Sequence, residues 1–181
     1  TVMDAQYQYS YSDGDQWFEW SPDSKWILSE FIGIGGWNNK DIVLLNADGK
    51  GEMHNLTESG YSDGNAKWVL GGKAMVWFSD RAGYRSHGSW GAQYDAYIMF
   101  FDVDAYDRFR MNKAEKAEKA EKEKAEKKKK ENKKDDKKKD GKEKNKKDGD
   151  EEKKEEVKPL KFDLDNRFDR IVRLTVNSSF M

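Results

Sequence analysis

The stretch WFEWSPDSKWILSEF, residues 17–31, sets the fold of this chain. Two runs rich in aromatic and aliphatic residues, 17–20 and 25–31, flank the tetrapeptide Ser-Pro-Asp-Ser. Proline favours the second position of a tight turn because its φ angle is already fixed near the required value. Aromatic and β-branched residues favour extended strands. The stretch therefore predicts two antiparallel strands joined by a turn at 21–24.

Two further strands follow this hairpin. A loop rich in glycine and asparagine occupies 32–40, and DIVLLN at 41–46 reads as a third strand. The pair Asp48-Gly49 marks another hairpin turn. A fourth strand is then expected at 53–56. Four short antiparallel strands in a unit of about 40–50 residues are typical of one blade of a β-propeller.

The pattern recurs further along the chain. The sequence YSDG at 11–14 returns at 61–64, which is an offset of 50 residues. Trp20 aligns with Trp68 at an offset of 48. Insertions and deletions between the two copies fall in turns, where repeat architectures tolerate them. The sequence therefore predicts a second blade that follows the first.

The second unit carries a long interruption. Strand-like stretches lie at 66–70, 74–79 and 94–103, and they resume at 159–163 and 170–174. The simplest arrangement places the intervening charged segment between the third and fourth strands of the second blade. At the other end of the chain, residues 3–11 alternate polar and aromatic side chains. This alternation predicts the last strand of a preceding blade.

The predicted fold class is all-β, with about two four-stranded antiparallel blades of a β-propeller and a charged helical to disordered insertion. The expected boundaries are 1–11 for the last strand of a preceding blade, 12–60 for one blade, 61–112 for the first three strands of the next, 113–158 for the insertion, and 159–181 for the closing strands and the start of another unit. Propellers typically have about 4–8 blades. Two blades alone would leave apolar faces open, so we expect the segment to belong to a longer polypeptide.

The insertion holds 21 lysines and 16 acidic residues. Residues 113–130 repeat Ala-Glu-Lys, which predicts an exposed helix. Residues 133–156 mix lysine, aspartate, glycine and asparagine, and this composition predicts disorder. An arm that binds polyanions is one interpretation. The interleaved acidic residues and the lack of aromatic residues favour a solvated spacer instead, and we expect no nucleic-acid partner.

Several motifs resemble repeats of TolB-like and Tricorn-type propellers. They are WSPDSK at 20–25, DIVLLNADG at 41–49, NLT at 55–57, FSDR at 78–81 and RLT at 173–175. In the second unit, SDRAGYRSHGSWG at 79–91 and FDRIVRLT at 168–175 are similar to segments of bacterial Tricorn-like serine peptidases. Two positions depart from the pattern. Ser24 replaces the usual glycine, and VLGG at 69–72 replaces Ser-Pro-Asp-Gly.

The resemblance implies a serine peptidase as the parent protein. In that family, propeller domains precede a PDZ domain and a peptidase core with a Ser-His-Ser-Glu site. This segment would then be non-catalytic, gating or channelling a peptide or unfolded-protein substrate and scaffolding the peptidase domains. The alternative is a TolB-like propeller that serves as a protein-interaction module without protease activity. The resemblance implies a periplasmic or exported protein, and a cytoplasmic location stays open.

The sequence predicts no catalytic site within the segment. Nucleophilic catalysis needs a nucleophile, a base and an orienting group. The two histidines are His54, expected in a solvated turn, and His87, in a glycine-rich loop. The acidic residues at 13–15 lack the spacing of an EF-hand, so we expect turn chemistry there and no metal site. No cofactor is predicted.

Five loop residues are candidates for contact with a substrate or a neighbouring domain: Trp37, Tyr84, Arg85, His87 and Trp90. They lie in glycine-rich loops, where burial is less assured. Packing against adjacent blades is the alternative for them. The remaining tryptophans are expected in the blade core: Trp17, Trp20, Trp26, Trp68 and Trp77.

The remaining composition sets limits on the class of protein. The chain has no cysteine, which excludes a disulfide framework and a thiolate zinc site. No run of 18 apolar residues is present, so no membrane span is expected. Homo-oligomerisation stays open at this level.

Overall fold

The chain folds into two four-stranded antiparallel sheets and two α-helices in the residues that the structure describes. The structure is a computed structural model that describes residues 1–8, 16–85, 91–136 and 159–180. The first sheet holds β1 (Phe18–Trp20), β2 (Trp26–Phe31), β3 (Asp41–Asn46) and β4 (His54–Asn55). The second holds β5 (Asp63–Val69), β6 (Ala74–Ser79), β7 (Asp95–Phe100) and β8 (Ile171–Arg173). The helices are α1 (Val103–Arg110) and α2 (Lys113–Asp136). In both sheets the strands pair in chain order, so each sheet is a simple meander.

The predicted hairpin at 17–31 is confirmed. Glu19 in β1 lies opposite Leu28 in β2. The turn is closed by Ser21, whose hydroxyl accepts the backbone N–H of Trp26 at 2.9 Å. Ser24 adopts a φ of 56°, in the left-handed region that favours glycine. Glycine would adopt this angle without strain, so the backbone favours glycine at the position of Ser24.

The interruption of the second sheet is also confirmed. β8 pairs with β7 in antiparallel register, so the charged segment lies between the third and fourth strands. Two details of the prediction were wrong. The third strand ends at Phe100 rather than at 103, and α1 begins at Val103. The stretch 159–163 forms no strand, because its backbone bonds to side chains and loops elsewhere instead of to a neighbouring strand.

The predicted strand at 3–11 is wrong for the residues that the structure describes. Ala5–Tyr7 forms one turn of 3₁₀-helix. The carbonyl of Tyr7 accepts the N–H of Ile32 at 2.7 Å, which fixes this segment beside the end of β2. Met3 and Tyr7 pack against the outer face of the first sheet. Residues 9–11 lie outside the described residues, as does the motif at 11–14.

The two sheets pack face to face around a shared apolar core. Its buried members are Leu28, Ile42, Leu44 and Leu56 from the first sheet and its following loop, and Ala66, Met75, Trp77, Tyr97, Met99 and Phe101 from the second sheet and its edge. Each sheet also buries apolar residues on its other face. The outer face of the first sheet is covered in part by the N-terminal segment, and that of the second by the start of α1.

Four of the five tryptophans expected in the core lie there. Trp77 is fully buried, and Trp17, Trp26 and Trp68 are partly buried against the shared core. Trp20 is 51% exposed, which corrects the prediction. It lies opposite Ile27 on the outer face of the first sheet.

The described residues 107–136 belong to a second compact unit. Its helix α2 confirms the prediction for 113–130 and continues to Asp136, four residues into the stretch predicted to be disordered. The rest of that stretch lies outside the described residues. Asn112 caps the helix, because its side-chain oxygen accepts the N–H of Glu115 while Glu115 accepts the N–H of Asn112. No described helix is long and apolar enough to cross a membrane.

Candidate functional site

One end of the two sheets gathers four connections, and we call it the loop end; its described residues are 32–40, 56–62, 80–85 with 91–94, and 174–180. In a four-stranded meander, the connection between the second and third strands and the segment after the fourth strand reach the same end. A backbone hydrogen bond from Asp63 N–H to the carbonyl of Lys40, at 2.9 Å, joins the two sheets there. The described candidates Trp37, Tyr84 and Arg85 all belong to this end.

Asp41 organises the loop end of the first sheet. Its carboxylate is fully buried and accepts four hydrogen bonds. The backbone N–H groups of Ile34 and Ser59 donate at 2.9 and 2.8 Å, and the side chains of Asn55 and Thr57 donate at 2.9 and 3.1 Å. A buried carboxylate with this many donors fixes the loops that supply them.

Asp95 has the equivalent position in the second sheet. It begins β7 as Asp41 begins β3, and its carboxylate is also fully buried. Thr175, Ser178 and Arg173 donate to it at 2.5, 2.7 and 2.8 Å. Burial by itself would raise the pKa of Asp95, but the hydrogen bonds from Thr175, Ser178 and Arg173 outweigh it, and the pKa is lowered.

The two aspartates take part in the same hydrogen-bond arrangement, which occurs once in each sheet. In each sheet a threonine just past the fourth strand donates to the aspartate, at 3.1 Å from Thr57 and 2.5 Å from Thr175. The N–H of the residue that follows each aspartate donates to that threonine hydroxyl, at 3.0 and 3.3 Å. We call this arrangement the Asp–Thr clasp. It ties the beginning of the third strand to the end of the fourth.

The lowered pKa of Asp95 predicts a loss of stability in acid. The folded-state pKa lies below the ordinary value of 3.8, so the stabilisation is complete above that value and is lost as the pH falls through the folded pKa. We expect Asp95→Asn to narrow the difference in unfolding free energy between pH 7 and pH 3. Chemical denaturation of the original chain and of Asp95→Asn at several pH values between 3 and 7 measures this difference. Equal pH dependence in the two proteins would contradict the prediction.

A third carboxylate, Asp63, joins the loops to the core. Arg81 donates to both of its oxygens at 2.9 and 3.1 Å, Trp77 Nε1 donates at 3.0 Å, and Ser59 Oγ donates at 2.5 Å. The guanidinium carbon of Arg81 lies 5.5 Å from the ring centroid of Trp77 and 5.1 Å from that of Tyr97. This network supports the interior of the sheet and leaves Asp63 fully occupied.

Arg85 is a bridge between the loops of the two sheets. Its Nε lies 3.1 Å from a carboxylate oxygen of the buried Asp80. Its Nη2 donates to the side chain of Asn39 at 2.6 Å and to the carbonyl of Gly60 at 3.3 Å, and its guanidinium carbon lies 5.1 Å from the ring centroid of Tyr61. Arg85 therefore positions its own loop and the loops at 32–40 and 56–62. The sequence did not predict this role for Arg85.

The other candidates divide in two groups. Trp37 is 55% exposed and Tyr84 is 64% exposed, so both present aromatic surface at the loop end. His87 and Trp90 lie outside the described residues. Arg85 joins Asn39, two residues beyond Trp37, to the segment that carries Tyr84.

Further exposed apolar residues at the loop end were missed from sequence. They are Ile34, Tyr61, Val176 and Phe180. Val176 is 87% exposed although valine favours strands and cores. For Ile34, Tyr61 and Phe180, the signal that could have found them is an apolar side chain beside glycine or serine in a connection. Val176 lacks this signal, because it lies between threonine and asparagine. Clustered exposed apolar residues at one end of a protein mark interaction sites.

The three buried carboxylates of the loop end, Asp41, Asp63 and Asp95, all accept hydrogen bonds from donors within the chain. His54 lies half-buried in β4, opposite Leu44, which corrects the expected solvated turn. Across residues 1–8, 16–85, 91–136 and 159–180, no group of three or more acidic or histidine side chains could hold a metal ion.

The described part of the chain therefore defines a mostly β protein of two four-stranded antiparallel meanders with an apolar loop end. No family model matches the chain, and comparisons with curated proteins and with solved structures return no match.

Proposed function

We propose that the two sheets are adjacent blades of a β-propeller, and that they form a non-catalytic segment of a Tricorn-like serine peptidase. The segment gates or channels peptide substrates at its loop end and scaffolds the peptidase domains. The resemblance of the loop motifs to that family supports the peptidase parent. The partners are the remaining blades, the PDZ domain and the peptidase core of the same chain. The expected location is periplasmic or exported, with a cytoplasmic location as the alternative.

The packing of non-equivalent faces of the two sheets supports the propeller proposal. By the repeat, Leu44 corresponds to Ile98, and Leu45 to Met99. Leu44 and Met99 meet in the shared core, whereas Leu45 and Ile98 lie on the two outer faces. One face of the first sheet thus packs on the opposite face of the second.

This arrangement favours a propeller over a sandwich. A sandwich with an internal two-fold axis would bury corresponding residues together. Here one face of the first sheet packs on the opposite face of the second, so the interface is heterologous. The same rotation can add further sheets until a ring closes. The apolar outer faces then become surfaces for further blades. Phe18 and Trp20, both about half exposed on the outer face of the first sheet, support this assignment.

Unfolded-protein binding tests the function. We expect the 181-residue chain to bind a reduced, carboxymethylated protein labelled with a fluorophore, and to leave it uncleaved. Replacing two exposed loop-end residues together, Ile34→Ser and Tyr84→Ser, should raise Kd about tenfold, since interface aromatics dominate binding energy. The control is Leu70→Ser, which removes a similarly exposed apolar side chain from the opposite end.

Three outcomes would overturn the proposal. Absence of binding removes the role in handling polypeptides. Equal weakening by Leu70→Ser shows that the loop end is not the binding surface. Cleavage of the bait by the purified chain shows that the segment is catalytic. Saturable binding of one folded partner in preference to unfolded proteins would favour the TolB-like interaction module instead.

A further inference from the structure

A cleft of about 470 Å³ opens at the loop end between the two sheets. Its lining includes Trp37, Asn38 and Lys40 from the first sheet and Asn65, Phe78 and Tyr94 from the second. We infer that this cleft binds an extended, uncharged peptide segment, with an apolar side chain against Trp37. The inference rests on the proposed function and names the class of ligand and the place where it binds.

The charges around the cleft are paired within the chain. Lys40 Nζ lies 3.8 Å from a carboxylate oxygen of Glu30, and the other oxygen of Glu30 accepts the N–H of Asn65 at 3.0 Å. Asp63, at the base, is held by Arg81. A phosphate, a nucleic acid or a strongly charged peptide would have to compete with these pairs. The charge balance therefore selects a neutral ligand.

The uncharged groups match those of a polypeptide. The side chains of Asn38 and Asn65 each offer a donor and an acceptor, which is what an extended backbone presents. The indole of Trp37 is 55% exposed, and the partly buried Phe78 belongs to the same lining. A few convergent amide groups beside aromatic surface are the usual composition of a ligand site.

The walls of the cleft are fixed before any ligand arrives. The bond between Asp63 N–H and the Lys40 carbonyl joins the two sides at 2.9 Å. Asn65 adopts a φ of 54° at an irregularity in the pairing of β5 with β6, which directs this residue out of the ladder. At Gly64, an added Cβ would lie 2.9 Å from a carboxylate oxygen of Glu30. A site held in this way loses little entropy on binding.

Binding of three peptides of equal length tests the inference. The probes are a capped neutral peptide with leucine and phenylalanine spaced by glycine and serine, and versions in which the serines become aspartate or lysine. We expect the neutral peptide to bind most tightly, with little dependence on salt. Trp37→Ala should raise its Kd about tenfold, whereas Trp20→Ala, with a similarly exposed indole, should change it less than about twofold.

Lys40→Gln supplies a second, directional test. It removes the partner of Glu30 and leaves the cleft with one uncompensated negative charge. We expect the preference to move toward the lysine peptide, by about fivefold or more at low salt. Near-ultraviolet circular dichroism of each variant controls for folding.

The outcomes separate this inference from the proposed function. If the chain binds the neutral peptide and unfolded protein but Trp37→Ala has no effect, the cleft assignment fails and the proposed function stands. If no peptide and no unfolded protein bind, both fail. Tighter binding of the aspartate peptide, or of an oligosaccharide or oligonucleotide displaced by Trp37→Ala, overturns the uncharged-peptide assignment alone.

Discussion

Asp41→Ala is expected to lower the free energy of unfolding by on the order of 4 kcal/mol, because it leaves several buried donors without an acceptor. Four groups donate to this carboxylate, two from the backbone and two from side chains, and the site excludes water. Each hydrogen bond to a charged group is worth about 1.5–3 kcal/mol, and the losses do not add fully. Denaturant unfolding, followed by tryptophan fluorescence, measures the change.

Two further variants define the cause. Asp48→Ala removes an exposed aspartate from the hairpin between β3 and β4, and should cost less than about 1 kcal/mol. Gly33→Ala should disturb the same carboxylate without removing it, since an added Cβ would lie 2.2 Å from Asp41 Oδ2. If Asp41→Ala costs no more than Asp48→Ala, the Asp–Thr clasp does not stabilise the sheet.

The strands were predictable because their signals are local. The third strand of the first sheet occupies 41–46 both in the prediction and in the structure. The hairpin before it follows from a proline turn between apolar runs, and no distant contact competes with that pattern. The repeat then transfers the assignment to the second sheet, where β6 again matches the predicted bounds, Ala74–Ser79.

The conformation of the segment after the insertion could not be predicted from local signals. Its alternating apolar residues Leu160, Phe162 and Leu164 have the period of a strand. The partners that determine its conformation are far away in sequence. Leu160 N–H donates to Asp23, at 2.8 Å, and Asp163 N–H donates to the carbonyl of Phe101 at 3.0 Å. Tertiary contacts therefore override the local pattern.

The candidate site was predicted only in part for a related reason. Exposure of Trp37 and Tyr84 follows from their glycine-rich loops. The role of Arg85 depends on Asp80, Asn39 and Gly60, which come together only when the two sheets pack. The repeat aligns Asp41 with Asp95, and this alignment was a visible signal of the Asp–Thr clasps. The role of an aspartate at the start of a strand could still not be assigned, because its hydrogen-bond donors are known only from the fold.

Residues 159–170 link the two sheets, and we call this segment the strap. Arg167 donates to the carbonyls of Asn55 and Leu56 in the first sheet, at 2.7 and 3.3 Å. The buried Arg170 donates to the carbonyl of Phe100 in the second, at 3.0 Å. The strap thus contributes to the interface between the two sheets, which the shared core also forms. In the sequence it directly follows the charged insertion.

Phe162 is the apolar centre of the strap, and Phe162→Ala is expected to cost about 3 kcal/mol. Its ring centroid lies 5.1 Å from that of Trp26, 5.8 Å from that of Trp68 and 5.3 Å from that of Phe101. Truncation removes these three aromatic contacts and leaves a cavity between the sheets. Trp26 comes from the first sheet and Trp68 from the second, so the loss weakens their association.

The experiment compares equilibrium unfolding of Phe162→Ala with that of Lys161→Ala. Lys161 is exposed in the same segment, and its removal should change the unfolding free energy by less than about 0.5 kcal/mol. Because two tryptophans contact Phe162, native-state fluorescence should change in the first variant only. We further expect unfolding of Phe162→Ala to become less cooperative, seen as a smaller denaturant m-value, since the two sheets would separate before each one unfolds. A loss of stability equal in both variants, with unchanged fluorescence, would show that the strap lies on the sheets without joining them.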